Sequence, residues 1–175
     1  MKKVIQVGQP PPKCVHRQAG EVRPVLIGQY TIYAGGGMYL TQDHKNGFDL
    51  LVELRDERTP LEIRFGTEAG NYLYLPIHDF QTVPEEYVAA FSWHLLKVYL
   101  RIRKGERVLV YCAGGHGRTG LFLASLLALV EPELEEPVTE LRRRYCSRAV
   151  ETPAQAAQVA SIHSVAREIH EALKG

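Results

Sequence analysis

Apolar positions in the first half of this chain come in short runs broken by glycine or proline; in the second half many of them recur every three or four residues. Val25-Leu26-Ile27 and Tyr30-Thr31-Ile32-Tyr33 read as two strands separated by Gly28-Gln29, with Gly35-Gly36-Gly37 ending the second. Phe48 to Leu54 (FDLLVEL) is the pattern of a strand covered on both faces. Tyr72-Leu73-Tyr74-Leu75 is another strand, stopped by Pro76, and Val108-Leu109-Val110-Tyr111 is the clearest buried strand. Between Pro84 and Arg103 the set Val88, Phe91, Leu95, Val98 and Ile102 steps by three and four, which predicts a helix. Pro84, Glu85 and Glu86 suit its start, and Lys104-Gly105 marks its stop. Further helices are expected at about 119–129 and 138–145. The last begins at Thr152, a good N-cap before Pro153, with Val159, Ile162, Ala166, Ile169 and Leu173 on one face. Trp93 and Tyr87 read as packing residues of their helix. Strands followed by strand–helix units imply an α/β sheet flanked by helices.

Composition adds limits. The chain has 175 residues, 45% apolar and 23% charged, which fits a folded domain and argues against disorder. That length suits a single domain over 1–175, with residues 1–24 as an irregular N-terminal segment containing the extended Pro10-Pro11-Pro12. With 21 Lys+Arg against 20 Asp+Glu the net charge is +1, so no global field draws the protein to nucleic acid or to an anionic membrane. An anion must instead be recognised by a local arrangement. The apolar stretch after Met1 is too short for a signal peptide, and the run from Leu121 to Val130 is too short to span a bilayer. Cys14, Cys112 and Cys146 cannot all pair within the chain and match no zinc-ligand spacing. Together these lead us to expect no disulfide scaffold, no metal, a reducing compartment and a cytoplasmic location.

The informative segment is Val108 to Leu121, V-L-V-Y-C-A-G-G-H-G-R-T-G-L, running from a buried strand through a glycine-rich loop into an apolar helix. Such a loop (Ala113, Gly114, Gly115, His116, Gly117) can turn successive N–H groups inward as an anion nest, and the following helix points its N-terminus at the same place. That environment suits a phosphate and also a thiolate at Cys112, because helix N-termini and adjacent cations favour ionised sulfur. The planar fork of Arg118 can hold two phosphate oxygens. The Thr119 hydroxyl can donate to a leaving sulfur.

C-A-G-G-H-G-R-T-G resembles the signature loop of the cysteine-dependent protein tyrosine phosphatase superfamily. It is similar to the dual-specificity branch and its compact bacterial members that are like kinase-associated phosphatase. Leu75-Pro76-Ile77-His78-Asp79-Phe80, followed by Val83-Pro84, looks like the family's general-acid loop. Arg148-Ala149-Val150-Glu151-Thr152-Pro153-Ala154-Gln155 looks like the segment before its last helix. The resemblance implies a central mixed, mainly parallel sheet flanked by helices. It implies metal-independent hydrolysis of phosphate monoesters on phosphoproteins, without a cofactor, through a phosphocysteine on Cys112. Asp79 would be general acid and then base, and Gln155 a water-orienting residue. Phosphotyrosine and, in a shallow cleft, phosphoserine and phosphothreonine are the expected substrates.

Tyr111 stands where the family usually has histidine before the nucleophile, and Cys146-Ser147 where relatives often carry Pro-Gly. The Tyr111 hydroxyl either replaces part of that histidine's role or leaves the thiolate less stabilised. A phospho-binding module with weak chemistry therefore stays open as an alternative. So does action on a phosphoinositide, which His116 in its cationic form would favour, or on an RNA 5′-phosphate. Arg142-Arg143-Arg144 with Arg148 is either a second anion site or a solvated helix face. Cys146 as a redox partner of Cys112 is a further alternative. Oligomeric state is unconstrained.

Overall fold

The protein is described by a computed structural model covering Cys14 and residues 21–175. Most of the expected irregular N-terminal segment therefore lies outside the described residues. Its last part does not stay irregular: β1 (Val22–Ile27) includes Pro24. A proline is tolerated there because β1 is an edge strand.

The remaining strands are β2 (Tyr30–Gly36), β3 (Leu50–Arg55), β4 (Thr67–Ala69), β5 (Tyr72–Ile77) and β6 (Val108–Cys112). They form one six-stranded sheet in the order β1-β2-β6-β3-β5-β4. The inner pairs β2/β6, β6/β3 and β3/β5 are parallel, and antiparallel hairpin partners close both edges. The sheet is thus mixed and mainly parallel, as expected. The short polar strand β4 carries no hydrophobic signal that would reveal it.

The helices are α1 (Gln42–Lys45), α2 (Val88–Arg103), α3 (Gly117–Val130), α4 (Pro137–Arg144) and α5 (Pro153–Lys174). Helix α3 is apolar on every side because it is enclosed by β6, α2, α4 and α5. Helix α2 buries Phe91, Leu95, Val98 and Ile102, the stripe read from the sequence. Trp93 lies two positions from Phe91, on the opposite side, and is 62% exposed rather than packed. Tyr87 does pack, stacking on Phe65 with ring centroids 4.9 Å apart. Helix α5 keeps only Val159, Ile162 and Ala166 of its expected face buried. Past Ala166 nearly every position meets solvent, Ile169 and Leu173 included. No helix among the described residues is long and apolar enough to cross a membrane.

The cysteine expectation is corrected. Cys14 and Cys146 form a disulfide with Cα atoms 5.1 Å apart, which leaves Cys112 as the free cysteine among those described. The partners are separated by 132 residues, so no local spacing could reveal the pairing.

Candidate active site

Strand alternation decides what β6 presents. Val108, Val110 and Cys112 point into the main core under α3, whereas Leu109 and Tyr111 join Phe48 and Leu51 in a second cluster. Cys112 ends β6 at the carboxyl edge of the parallel strands, and the chain turns through residues 113–116 into α3. The carbonyls of this turn are held by its surroundings. Ala113 O accepts from Met38 N at 3.2 Å. Gly115 O accepts from the Tyr145 hydroxyl at 2.6 Å. His116 O accepts from Gly120 N at 2.9 Å and Val150 N at 3.2 Å. Across a trans peptide the N–H points opposite to the C=O, so carbonyls tied outward turn the N–H groups of Gly114 and His116 inward, while the Gly117 N–H meets the Glu151 carboxylate. The Gly115 N–H donates to Cys112 Sγ at 3.3 Å. Gly115 has φ 80°, and a Cβ there would stand 2.8 Å from the Gly35 carbonyl carbon, so only glycine fits.

Arg118 enters from the first turn of α3 and is 1% exposed. Its Nη1 and Nη2 donate to the two carboxylate oxygens of Glu57 at 2.8 and 3.0 Å, and Nη1 also donates to Ile77 O at 3.0 Å. Asp56 Oδ1 lies 3.5 Å from Nη1, and Asp79 Oδ1 lies 3.4 Å from Nη2. Burial works against the Arg118 charge, but Glu57, Cys112 and Asp79 outweigh it and hold the guanidinium more firmly protonated than usual. Arg118 in turn holds the Glu57 carboxyl down at about 2, against some desolvation. Arg118 Nε is buried with no hydrogen-bond partner among the described residues. The Nη1–Nη2 edge of the fork is thus clamped from behind, and Nε is left unpartnered among the described residues.

Asp79 follows β5 and is 59% exposed on its side chain, its Oδ1 accepting from Phe80 N at 3.1 Å. Phe80 has φ 61° and is exposed. His78 is exposed and paired with the Asp56 carboxylate. Thr119 is fully buried, and its hydroxyl has no partner among the described residues. Gln155 is also fully buried. Its Oε1 accepts from Glu151 N at 3.0 Å and Thr152 N at 3.3 Å, and its Nε2 donates to Gln81 O at 3.1 Å. Its own N–H donates to Thr152 Oγ1, completing a capping box. The carboxylate from this segment that faces the loop belongs to Glu151: a Cβ on Gly117 would stand 2.5 Å from Glu151 Oε2. Burial pushes the Glu151 carboxyl above the usual carboxylate range, Arg148 opposing and Asp79 adding to the shift.

This geometry can be set beside known proteins. The family model for the Swiss Army Knife protein DSP-PTPase phosphatase domain matches residues 44–170. The chain belongs to that family. An uncharacterised protein of Methanocaldococcus jannaschii is 37% identical over 115 residues, covering 65% of this chain and 67% of its own length. Tk-PTP in its active form aligns with a TM-score of 0.62 at 25% identity, over 81% of this chain and 96% of that one. Kinase associated phosphatase, with serine in place of its catalytic cysteine, aligns with a TM-score of 0.67 over 86% and 97% of the two chains. At 14% identity that likeness is one of fold.

Within this phosphatase domain, Tyr111 sits on the opposite sheet face from Cys112, between Lys45 and Arg55, which lie 4.9 and 5.3 Å from its ring centre. Burial, with Glu53 beside it, pushes its hydroxyl far above the ordinary tyrosine range and keeps it neutral. It is a core residue of that face. The arginine run is a strut and not an anion site. Arg142 donates to Ala149 O and Val150 O, each at 2.9 Å. Arg143 pairs with Glu140, and Arg144 pairs with Glu131 and Glu140. Sequence reasoning missed Glu57. Its only signal was a carboxylate just beyond a buried strand. A cluster with metal-ligating side chains does exist away from Cys112: Cys14, His116 and Cys146 have ligand atoms within 4.8 Å of one another, but its two sulfurs are bonded to each other.

Proposed function

We propose that this phosphatase domain hydrolyses phosphate monoesters on phosphoproteins through a phosphocysteine on Cys112. The observation that carries the reading is the cradle. Carbonyls tied outward leave the loop amides free to face the sulfur, the Gly115 N–H sits on Cys112 Sγ, and Arg118, with Nε unpartnered among the described residues, interacts electrostatically with the same cysteine. The amides and Arg118 stabilise Sγ as a thiolate and bind the non-bridging oxygens of the phosphoryl group. The thiolate attacks phosphorus, the ester P–O bond breaks, and Asp79 gives its proton to the leaving oxygen. General acid help of this kind is worth about 10² to 10⁴ in rate. Water then attacks phosphorus, Asp79 takes its proton, and the P–S bond breaks as Thr119 donates to the departing sulfur. Gln155 acts in this scheme as a tie: it links the Glu151 segment to Gln81 in the acid loop and keeps both beside the cradle. An acid that is 59% exposed on its loop suits the ester oxygen of a phosphorylated protein side chain, phosphotyrosine first and phosphoserine or phosphothreonine besides.

The test is turnover of para-nitrophenyl phosphate in EDTA by the full chain and by Cys112→Ser and Asp79→Asn. Loss of activity in Cys112→Ser, with trapping of labelled phosphate on Cys112 of the native protein after an acid quench, supports the mechanism. Turnover that survives Cys112→Ser refutes it. A panel of phosphopeptides, phosphoinositides and 5′-phosphorylated RNA ranks the substrate classes, and a preference for either of the last two displaces the phosphoprotein reading.

A further inference from the structure

The Cys14–Cys146 bond takes no part in the proposed hydrolysis, yet it lies against the same loop. Cys146 Sγ is 3.4 Å from His116 Nδ1, the Arg148 N–H lies 3.4 Å from each of the two sulfurs, and Cys14 Sγ is 3.7 Å from Ser147 Oγ. The two sulfurs differ in access, Cys146 being fully buried and Cys14 half-buried. The stretch that carries Cys146 is also the outer wall of the loop. Tyr145 holds Gly115 O, Val150 N holds His116 O, and Arg142 holds the carbonyls of Ala149 and Val150. Opening the bond therefore removes the covalent tie between residue 14 and the wall of the cradle, leaving only the weaker contacts of Cys14 Sγ with Ser147 Oγ and Arg148 N.

We propose that the Cys14–Cys146 bond is a thiol–disulfide exchange site, opened by a dithiol reductant attacking Cys14, with Cys146 as the leaving thiolate and His116 as the group that stabilises it. Attack is directed to Cys14 by access, and exchange is fastest when the leaving sulfur is the better-stabilised anion. Cys146 meets that condition through the imidazole nitrogen at 3.4 Å, the Arg148 N–H being shared equally by both sulfurs. The first thiolate of the dithiol bonds to Cys14 Sγ, the Cys14–Cys146 bond breaks, and its electron pair leaves on Cys146 Sγ. The second thiolate of the dithiol then attacks its own sulfur in the mixed disulfide, and Cys14 leaves and takes up a proton. The reductant ends as its disulfide, having given two electrons and two protons. One proton is on Cys14, and the other is shared by Cys146 and the His116 ring. The closed bond braces the loop wall, so the reduced protein binds a phosphate monoester more weakly. This consequence for binding rests on the phosphatase reading; the exchange chemistry does not.

The full chain, purified without reductant, is treated with glutathione, alkylated and mapped by peptide mass. Reduction by dithiothreitol is timed by the appearance of alkylated cysteine. The expected adduct is on Cys14, favoured over Cys146 by about tenfold or more, and His116→Ala and His116→Gln both slow reduction by about tenfold. An adduct mainly on Cys146, unchanged rates in both His116 variants, or three alkylatable thiols before any reductant would each overturn the proposal. For binding, KM for para-nitrophenyl phosphate is expected to rise about threefold or more on reduction, at equal Cys112 labelling, and to be insensitive to reductant in Cys14→Ser. Equal KM in both redox states refutes the bracing. If turnover proves independent of Cys112, the phosphatase reading fails while the adduct map and the reduction rates still decide the exchange site.

Discussion

Replacing Glu57 with glutamine keeps the size of the side chain but removes the charge that clamps Arg118 from behind. Two charge-assisted hydrogen bonds run from Arg118 to Glu57, at 2.8 and 3.0 Å. Glutamine offers one acceptor and turns an NH₂ group toward the other donor, so one bond is lost and the second weakened. A hydrogen bond to a charged group nets about 1.5–3 kcal/mol. The Glu57 side chain is 44% exposed, so solvent screening reduces the loss. Removing one partner of a buried ion pair also leaves the other charge uncompensated. Here Ile77 O at 3.0 Å and the carboxylates of Asp56 and Asp79 at 3.5 and 3.4 Å stay beside the guanidinium. The expected loss is therefore about 1–2 kcal/mol, a factor of about 5 to 30. It is read twice: as a fall in kcat/KM for para-nitrophenyl phosphate, and as a lower urea midpoint at constant slope. Because the clamp sets which edge of the fork faces the cradle, Glu57→Asp should restore neither quantity fully. Native kinetics and a native midpoint in Glu57→Gln would show that the loop alone orients Arg118, and the clamp argument would fall.

Acid should act through the same pair. With its carboxyl held at about 2 when folded, Glu57 contributes its full stability above the ordinary carboxylate range and loses it as pH falls toward that value. The difference in urea midpoint between the native protein and Glu57→Gln should therefore shrink on going from pH 6 toward pH 2; a constant difference contradicts the pairing. Gly115→Ala puts a Cβ at φ 80° and 2.8 Å from the Gly35 carbonyl carbon, so the loop must shift. A displacement of that kind costs about 10² in kcat/KM, and near-native turnover would mean the cradle is more compliant than described. Gln155→Ala removes a capping partner and leaves Gln81 O and the N–H groups of Glu151 and Thr152 without their bonds. A stability loss of about 1–3 kcal/mol in urea is expected, and an unchanged midpoint would remove Gln155 from its role as a tie.

What the sequence revealed follows from how far each contact reaches along the chain. Strands β3 and β6 were visible because a strand buried on both faces is apolar along most of its length: β6 is so throughout, and β3 is so apart from Glu53 and Arg55. Strand β4 is three residues of edge, mostly exposed, with no such demand on its composition. The same rule divides the site. Cys112, the glycine loop and Arg118 lie within one short turn, so their juxtaposition was legible in the sequence. Glu57 meets Arg118 across 61 residues, and Cys14 meets Cys146 across 132. Those contacts exist only because parallel pairing brings the ends of β3, β5 and β6 to one edge and the 145–150 stretch folds behind the loop. The arginine run, left open between an anion site and a solvated face, has the same explanation. Periodicity showed a charged face on α4 but not that the carbonyls of Ala149 and Val150 need donors, Val150 standing at φ 64°. Arg142 satisfies a backbone that would otherwise be held against its preference. That backbone holds His116 O, so a residue with no place in the proposed chemistry helps fix the direction of the loop N–H groups.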